Sequence, residues 1–427
     1  MDKIDKLFLK ALKASLCNKK VNWDFEIGTE EWLRLFRQSE IHHVLPMIYD
    51  AVYDCPSARG MDPAFLKPFK KKTVQQVMVQ TIKTSEFLQL YQFLRQAGIR
   101  PVMVKGIVCR ELYPNPDYRV SGDEDMLIPP DLFEQCHDRM LEYGMTVADP
   151  NVDIQGAYEV PYGKTGSPVY VELHKYLFSP DSGAFGGFNR FFETVHDQAV
   201  ELEIQGVPVA AMDYTSHFFY LICHAFKHFL HSGFGLRQVC DIVLFANRYG
   251  SCIDWQEVLE KCRAVQAEKF TAALLKIGEK YLTFSPEKAC FPDEWRQIQA
   301  DETALLEDLL SSGIYGNSNM SRKHSSNITL SAVEADRKGK MKGKVKGKGS
   351  RHGNAILKTL FPPLKVMKAR YLYLRKYPFL LPAAWCSRIL KYRREISRST
   401  ENNAADSIRI GNERIKLMEE YGIIEKQ

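Results

Sequence analysis

Hydrophobic side chains recur with a helical period through the first hundred residues of the chain. Trp32, Leu35 and Phe36 fall on one helical face, and a later helical stretch ends at Gly98, a residue type that commonly stops a helix. The pattern predicts an N-terminal helical region over residues 1–98.

The pattern becomes mixed over residues 99–212. Residues 100–104 have the apolar character of a short strand, whereas residues 131–143 have the periodicity of a helix that ends at Gly144. These alternating elements predict an α/β region.

A second strand is predicted within residues 168–177, where apolar and polar side chains alternate. Because successive side chains of a strand point to opposite faces, this alternation divides the segment into two sets. One face carries Val169, Val171 and Leu173, and the other carries Tyr170, Glu172 and His174.

Residues 213–310 return to a helical pattern. Asp213 and Asp254 precede two of the helical stretches, in positions typical of N-caps. The sequence therefore predicts a helical domain over residues 213–310.

Residues 311–353 predict a flexible Lys/Gly-rich linker, because a charged segment of low hydrophobicity buries too little apolar surface to become ordered. Eight Lys or Arg and no acidic residue lie within residues 337–351. Without these eight, the chain has 50 basic against 52 acidic residues, a net charge of −2. The overall charge of +6 is therefore local to this segment.

Residues 354–427 predict a cationic, aromatic C-terminal extension. Eleven Lys or Arg and a single acid, Glu395, lie within residues 354–398. One interpretation is a helical extension that packs on the core. The alternative, shared with the linker, is contact with a polyanion such as polyphosphate, nucleic acid or a membrane. No RNA- or DNA-binding motif is evident, and runs of charge are usually solvated faces, so we favour the structural interpretation.

The composition is that of a soluble globular protein, with 45% hydrophobic residues. The longest apolar runs are too short, or too interrupted by proline, to span a bilayer. Four lysines give residues 1–17 the pattern of an amphipathic helix and not of a secretory signal. Ten cysteines lie scattered without C-x-x-C spacing. We expect a cytoplasmic protein with reduced thiols.

The candidate chemistry centres on residues 121–130, which read SGDEDMLIPP. Asp123 and Asp125 would project from the same face of a strand. Two such carboxylates repel each other unless a cation or a shared proton lies between them, and Mg²⁺ prefers oxygen ligands of this kind. Glu172 supplies a third acid on the downstream strand. A surface turn is the alternative, because D-x-D triplets also occur by chance.

Five motifs in order resemble the polymerase-β-like nucleotidyltransferase superfamily and, more closely, a bacterial family of uncharacterised nucleotidyltransferases. The motifs are VKG at 104–106, LYPNPDYRVSGDED at 112–125, VELH at 171–174, HAFKH at 224–228 and LFPPL at 360–364. The resemblance implies an α+β fold. Its polymerase-β-like core, a small mixed sheet with flanking helices over residues 99–212, would be embedded between N-terminal and C-terminal helical regions.

The resemblance also implies a two-metal-ion enzyme that moves a nucleoside monophosphate from a nucleoside triphosphate, such as ATP, to a hydroxyl of an unknown acceptor. Asp123, Asp125 and Glu172 would be the catalytic residues and would bind Mg²⁺ or Mn²⁺. Glu172 would join the site where the acceptor hydroxyl is deprotonated.

Six further residues are predicted to contact substrate. Gly106 would let the backbone approach the triphosphate at a helix N-terminus, and Lys105 would neutralise phosphate or form a salt bridge. Arg119 would contact phosphate, or pair with Glu124 or the aspartates. The predicted substrate-binding residues are Lys105, Gly106, Arg119, His174, His224 and His228.

A histidine-rich stretch, residues 217–231, places four histidines near one helical face. A zinc site is one interpretation, although the pattern lacks the Glu of H-E-x-x-H. The family resemblance favours histidines that line a cleft, with His224 and His228 touching nucleotide or acceptor. Asp241 would cap a helix, pair with Arg237, or line the same cleft.

One residue departs from the family pattern. The position between the two aspartates is usually apolar, whereas this chain has Glu124. Glu124 either has a basic partner, lies near the strand edge in water, or marks an altered site. Glu124 therefore favours one alternative, a catalytically silent nucleotide-binding protein on the same fold. A separate alternative is a toxin–antitoxin or phage-defence component that modifies RNA or protein; the basic segment at 337–351 fits RNA, and a solvated linker fits it equally well.

Overall fold

The computed structural model describes residues 1–231, 233–312, 320–341, 361, 364, 367, 371, 373–398 and 404–426. They form two compact units. The first comprises Met1–Phe226 with Gly235–Ile314, and the second comprises Lys227–Phe234 with Tyr315–Gln427.

Helices surround the single sheet of the first unit, and one of them, α8, continues into the second unit. The helices are α1 (Lys3–Leu16), α2 (Thr29–Ile41), α3 (Leu45–Val52), α4 (Pro56–Arg59), α5 (Pro63–Gln96), α6 (Ile107–Arg110), α7 (Phe133–Glu142), α8 (Tyr214–His231), α9 (Leu236–Tyr249), α10 (Trp255–Ala264), α11 (Glu268–Tyr281), α12 (Asp293–Gln297) and α13 (Glu302–Ser312). The strands are β1 (Val102–Met103), β2 (Glu124–Leu127), β3 (Thr146–Val147), β4 (Glu159–Gly163), β5 (Tyr170–His174), β6 (Val200–Ile204) and β7 (Val207–Ala211).

The seven strands form one mixed sheet in the order β3-β4-β5-β2-β1-β7-β6. Strand β2 is parallel to β5 and antiparallel to β1, while β1 is parallel to β7. The α+β class expected from the sequence is confirmed. The sheet places β2 between the strand that carries Glu172 and the strand that leads into Lys105.

Local sequence signals fix several element ends as predicted. Asp213 accepts a hydrogen bond from the Ser216 amide at 3.0 Å, so it caps α8. Gly98 and Gly144 follow α5 and α7 with φ of +79° and +91°, a left-handed conformation that glycine adopts at little cost.

The core of the first unit lies where α5 and α7 cover one face of the sheet. Phe87, Leu94 and Phe133 are fully or almost fully buried there. Tyr91 of α5 donates its hydroxyl to the carbonyl of Pro101 at 2.9 Å and accepts from the amide of Ala210 at 2.8 Å. These hydrogen bonds tie the 34-residue helix α5 to the segment that leads into β1 and to strand β7.

The second unit contains helices α14 (Met320–Met341), α15 (Tyr373–Lys376), α16 (Leu381–Arg398) and α17 (Ala404–Glu420). Arg414, which is buried, donates a 2.7 Å hydrogen bond to the carbonyl of His231 and another to the carbonyl of Phe229. Thr329 of α14 donates to the same His231 carbonyl at 3.1 Å. Side chains from two helices therefore satisfy the end of α8.

The structure corrects part of the linker prediction. Residues 320–341 form helix α14, in which Thr329 and Val333 are fully buried. Gly411 of α17 allows a close approach, because a Cβ there would lie 3.2 Å from the Ile328 side chain. Residues 342–353 and most of residues 354–372, including most of the LFPPL motif, lie outside the described residues, so the polyanion contact stays a prediction.

Two further features concern the whole of the described chain. All ten cysteines have free thiols. Among the described residues, no helix has both the length and the apolar character that crossing a bilayer requires.

Candidate active site

Two acidic residues face each other across neighbouring parallel strands. In the register of β2 and β5, Asp125 is the partner of Glu172. His174 lies two residues after Glu172 and therefore on the same face of β5. Ligand atoms of all three lie within 4.8 Å of one another. The predicted alternation of residues 169–174 thus brings acids from distant parts of the chain together.

His174 lies among carboxylates. Its Nε2 lies 3.1 Å from Asp125 Oδ1 and 3.7 Å from Glu172 Oε2, while its Nδ1 lies 3.5 Å from Glu159 Oε2. Burial by itself lowers the pKa of His174, but hydrogen bonds to Asp125 and Glu172 and the nearby charges raise it to about 9. The imidazole is therefore a cation at neutral pH and orients the carboxylates.

Lys105 reaches the same carboxylates from the β1 side. Its Nζ lies 3.1 Å from Asp125 Oδ2 and 3.9 Å from Asp123 Oδ2. Burial lowers the pKa of Lys105, but the two aspartates outweigh burial and raise it well above its usual value. Burial likewise raises the pKa of Asp125, yet Lys105 and His174 hold it well below its ordinary range. Asp125 is therefore ionised.

The donor set fits a divalent cation. Oδ2 of Asp125 is buried and lies 3.1 Å from the Lys105 ammonium, while Oδ1 faces His174. Carboxylate oxygens suit hard cations, whereas the imidazole of His174 is better suited to orient Asp125 than to bind such an ion. In the described part of the chain, the one group with metal-ligand spacing is Asp125, Glu172 and His174.

The set therefore differs from the predicted Asp123, Asp125 and Glu172. Asp123 precedes β2, and its side chain is 32% exposed on the Lys105 side. His174 takes its place in the tight group because the side chains of β5 alternate.

Glu124 has the basic partners that its burial requires. Its carboxylate is fully buried, forms a salt bridge with Arg110, and lies 3.7 Å from Lys83. Burial alone raises the pKa of Glu124, but Arg110 and Lys83 more than offset this and lower it. The hypothesis that Glu124 lies in water at the strand edge is wrong.

Glu124 also holds the turn that precedes α6. Its Oε2 accepts a hydrogen bond from the Ile107 amide at 2.7 Å. Gly106 has φ of +52°, and a Cβ there would lie 2.1 Å from Glu124 Oε2. The Ile107 amide at the N-terminus of this four-residue helix is thus taken by a protein carboxylate, while the contact of Gly106 with the triphosphate stays a prediction.

Arg119 pairs with Asp241 and not with the aspartates of β2. Its Nε and Nη2 each donate a 2.7 Å hydrogen bond to the Asp241 carboxylate. Tyr113 donates to the same carboxylate at 2.7 Å. Of the roles predicted for Asp241, lining the cleft is the one observed, because helix capping and pairing with Arg237 are replaced by these bonds.

The histidines of α8 occupy different surroundings. His224 Nε2 lies 3.2 Å from Lys105 Nζ, and its Nδ1 lies 3.3 Å from Gln238 Nε2. His217 is buried in the first unit, whereas His228 and His231 belong to the second unit. Within the described residues, these histidines do not form a metal-ligand group, so the zinc interpretation is not supported.

A pocket with a cavity volume of about 30 Å³, open to solvent and lined by several charged side chains, lies beside Lys105. It is bounded by residues that follow β1, that precede β2, and that belong to α8 and α9. The lining residues are Lys105, Gly106, Arg119, Ser121, Asp123, Leu221, His224, Arg237, Gln238 and Asp241.

Several residues of the site were missed in the sequence. Arg110, Lys83 and Glu159 contact the predicted residues but lie outside the quoted motifs, and Tyr113 lies within one of them without having been predicted to take part in the site. A buried acid at position 124 was the one available signal, because it required a cationic partner somewhere in the chain.

The chain matches a known protein family. A family model described as uncharacterised nucleotidyltransferase matches residues 28–283, which is more than half of the chain. The matched segment includes the whole sheet and helices α8 to α11. No curated protein and no solved structure matches the chain.

Proposed function

The chain belongs to the family of uncharacterised nucleotidyltransferases, and on that premise we propose that it moves a nucleoside monophosphate from a nucleoside triphosphate to a hydroxyl of an acceptor. The catalytic centre is the Asp125–Glu172 pair with Asp123, on a sheet of the polymerase-β-like kind.

The observation that carries this proposal is the register of two parallel strands. Asp125 and Glu172 are partners across β2 and β5, and their carboxylates lie on one face, close enough to share a ligand. Two carboxylates held this closely need positive charge beside them, and here Lys105 and His174 supply part of it. Acidic and basic groups gathered in this way are typical of sites that perform chemistry.

The reaction would exchange one phosphorus–oxygen bond for another. The acceptor hydroxyl oxygen attacks the α-phosphorus, the bond from that phosphorus to the bridging oxygen breaks, and pyrophosphate leaves with the electron pair. The hydroxyl proton passes to Glu172, whose side chain is 28% exposed and can meet an acceptor. A divalent cation held by Asp123, Asp125 and Glu172, such as Mg²⁺ or Mn²⁺, would neutralise phosphate charge during transfer.

The surrounding residues would keep the central carboxylate ionised and aimed. Lys105 and His174 each lie 3.1 Å from a different oxygen of Asp125. Glu124 faces the other side of β2 and fixes the turn that carries Lys105, through its bond to Ile107. Since the charge of Glu124 is matched by Arg110, this residue gives no support to a catalytically silent protein.

The test is transfer of label from each α-³²P-labelled nucleoside triphosphate, with Mg²⁺ or Mn²⁺ and a cell lysate as acceptor source. We expect a labelled product with at least one nucleotide, and loss of transfer by a factor of about 100 or more in Asp125→Asn, because removing one transition-state stabiliser has effects of this size. Asp138→Asn, at an exposed position on α7, is the matched control. Full transfer by Asp125→Asn would refute the proposal, and the nature of the labelled product would separate RNA, protein and small-molecule acceptors.

A further inference from the structure

The pocket beside Lys105 contains more hydrogen-bond donors than acceptors. Its acids are Asp123 and Asp241, and the carboxylate of Asp241 is already occupied by Arg119 and Tyr113. The basic side chains that line it are Lys105, Arg119, His224 and Arg237.

One nitrogen of the Arg119 guanidinium lacks a hydrogen-bond acceptor among the described residues. The side chain is 3% exposed, and Asp241 takes its Nε and Nη2. The remaining nitrogen, Nη1, is buried and has no acceptor among the described residues. Burying a guanidinium nitrogen without a hydrogen-bond acceptor costs free energy unless a ligand supplies that acceptor.

Arg237 repeats this feature nearby. Its Nη1 donates to the Val120 carbonyl, and across the described part of the chain its Nε finds no acceptor. Burial lowers the pKa of Arg237, and the neighbouring charge of Arg119 lowers it further. Two guanidinium groups that repel each other in one pocket would be stabilised by an anion between them.

His224 connects the lysine of the pocket to helix α9. Its Nε2 lies 3.2 Å from Lys105 Nζ, and its Nδ1 lies 3.3 Å from the amide nitrogen of Gln238. That amide is oriented because Gln238 Oε1 accepts from the Gly235 amide at 2.9 Å. The ring therefore helps to position Lys105 beside the two arginines.

The charges of the site are therefore separated along the sheet, with acids on one side of Asp125 and basic side chains on the other. On the β5 side of Asp125 lie the acids Glu172 and Glu159, and on the β1 side lies the pocket with its unmatched donors. A reaction that takes a proton from a hydroxyl and expels a polyanion needs an acidic end and a basic end of this kind.

We infer that this pocket binds the β- and γ-phosphates of the donor nucleotide and holds them as leaving pyrophosphate, with Arg237 and Arg119 as the contacting side chains. The inference rests on the proposed function, and it gives α8 and α9 a direct part in binding substrate. Arg237 is the best residue to test, because Arg119 also secures Asp241 and Lys105 also pairs with Asp125.

The experiment is calorimetric titration of the full chain with tripolyphosphate, with and without Mg²⁺. We expect Arg237→Gln to weaken tripolyphosphate binding by about tenfold or more, because a charge-assisted hydrogen bond to phosphate is lost. Arg237→Lys, which keeps the charge, should recover part of the affinity. Arg248→Gln, at an exposed position on the same helix, should bind as the unaltered protein does.

Thermal unfolding of each variant shows whether a change in binding reflects misfolding. If Arg237→Gln is folded and binds tripolyphosphate as tightly as the unaltered chain, the inference is overturned. It is also overturned if the chain binds tripolyphosphate and a nucleoside triphosphate at the same time. If tripolyphosphate binds through Arg237 but no labelled nucleotide is transferred, the pocket is supported and the proposed activity is not.

Discussion

The carboxylate of Glu124 lies 2.7 Å from the amide nitrogen of Ile107, so the acid between the two aspartates holds the turn that carries Lys105. The same carboxylate forms a buried salt bridge with Arg110. The strand therefore presents Asp125, an acid of the candidate site, on one face and a structural acid on the other.

Glu124→Ala should strongly destabilise the protein. The substitution leaves Arg110 and Lys83 as buried cations, and breaking a buried pair costs about 3–5 kcal/mol. Urea denaturation measures the change in unfolding free energy. Glu142→Ala breaks a pair in which both side chains are about half exposed, so it should cost less than about 1 kcal/mol. Equal losses in the two variants would contradict the structural role of Glu124.

Gly106→Ala should disrupt the site, whereas Gly122→Ala should not. A Cβ on Gly106 would lie 2.1 Å from Glu124 Oε2, with φ of +52°, whereas a Cβ on Gly122 meets no atom within 4 Å. The turn must shift in the first variant, and Lys105 moves with it. We expect loss of most nucleotide transfer and a lower melting temperature in Gly106→Ala. Near-normal values in both variants would show that the turn is not constrained by Glu124.

Glu172→Gln should reduce transfer while leaving the fold intact, because the side chain is partly exposed and lacks the buried partners of Glu124. If Glu172 accepts the proton of the acceptor, the rate should fall by about 10²–10⁴-fold. Binding of tripolyphosphate, on the opposite side of Asp125, should change little. A variant that loses tripolyphosphate binding but keeps its transfer rate would reverse the polarity inferred for the site.

Acid should weaken the fold before carboxylates titrate. His42 is fully buried, its Nδ1 accepts from the Leu236 amide at 3.3 Å, and burial lowers its pKa to about 4. Burial lowers the pKa of His217 to about 4 as well. Between about pH 4 and 6.5, the unfolded chain, whose histidine pKa lies near 6.5, therefore binds protons that the folded chain does not bind. The contribution of His42 and His217 to stability is thus fully present above pH 6.5 and is lost as the pH falls towards 4.

The size of this effect is on the order of 3 kcal/mol per histidine at pH 4, since one pKa unit corresponds to about 1.4 kcal/mol. Urea denaturation at pH 7, 6 and 5 measures it. His42→Asn, which can still accept the Leu236 hydrogen bond, should show a shallower decline. An unchanged slope in that variant would mean that His42 is accessible to protons in the folded state.

Arg414→Met should loosen the second unit. The substitution removes the buried guanidinium that donates to the carbonyls of Phe229 and His231, and a hydrogen bond from a charged group contributes about 1.5–3 kcal/mol. Hydrogen exchange should become faster in α14 and α17. Arg409→Met removes an exposed pair with Glu413 on the same helix and should leave exchange unchanged. Equal protection in both variants would argue against this role of Arg414.

The sequence was sufficient to predict what depends on neighbours along the chain. The i, i+2 spacing of Glu172 and His174, the caps at Asp213 and the stops at Gly98 and Gly144 are local properties, and the structure agrees with them. A strand reveals which side chains share its face, so the approach of Glu172 to Asp125 needed only the assumption that the two strands are neighbours.

Contacts between distant segments could not be predicted in this way. Arg119 had plausible acidic partners four to six residues away but pairs with Asp241, which is 122 residues away. In the predicted linker, the Lys/Gly composition obscured a periodic set of small buried side chains, Ser325, Thr329 and Val333, spaced four apart. That spacing indicated helix α14, but the Lys/Gly-rich composition led to the prediction of a linker.

The wide separation of Arg119 and Asp241 along the chain also determines the order in which parts of the site form during synthesis. The residues of β2 and β5 leave the ribosome well before α9, and 122 residues separate the two partners. At about 5–20 residues per second, the interval is roughly 6–24 s. A nascent chain that has completed its sheet still lacks the helix that carries Arg237, Gln238 and Asp241. The newly made protein should therefore acquire its acids first and the means to hold a nucleotide only later.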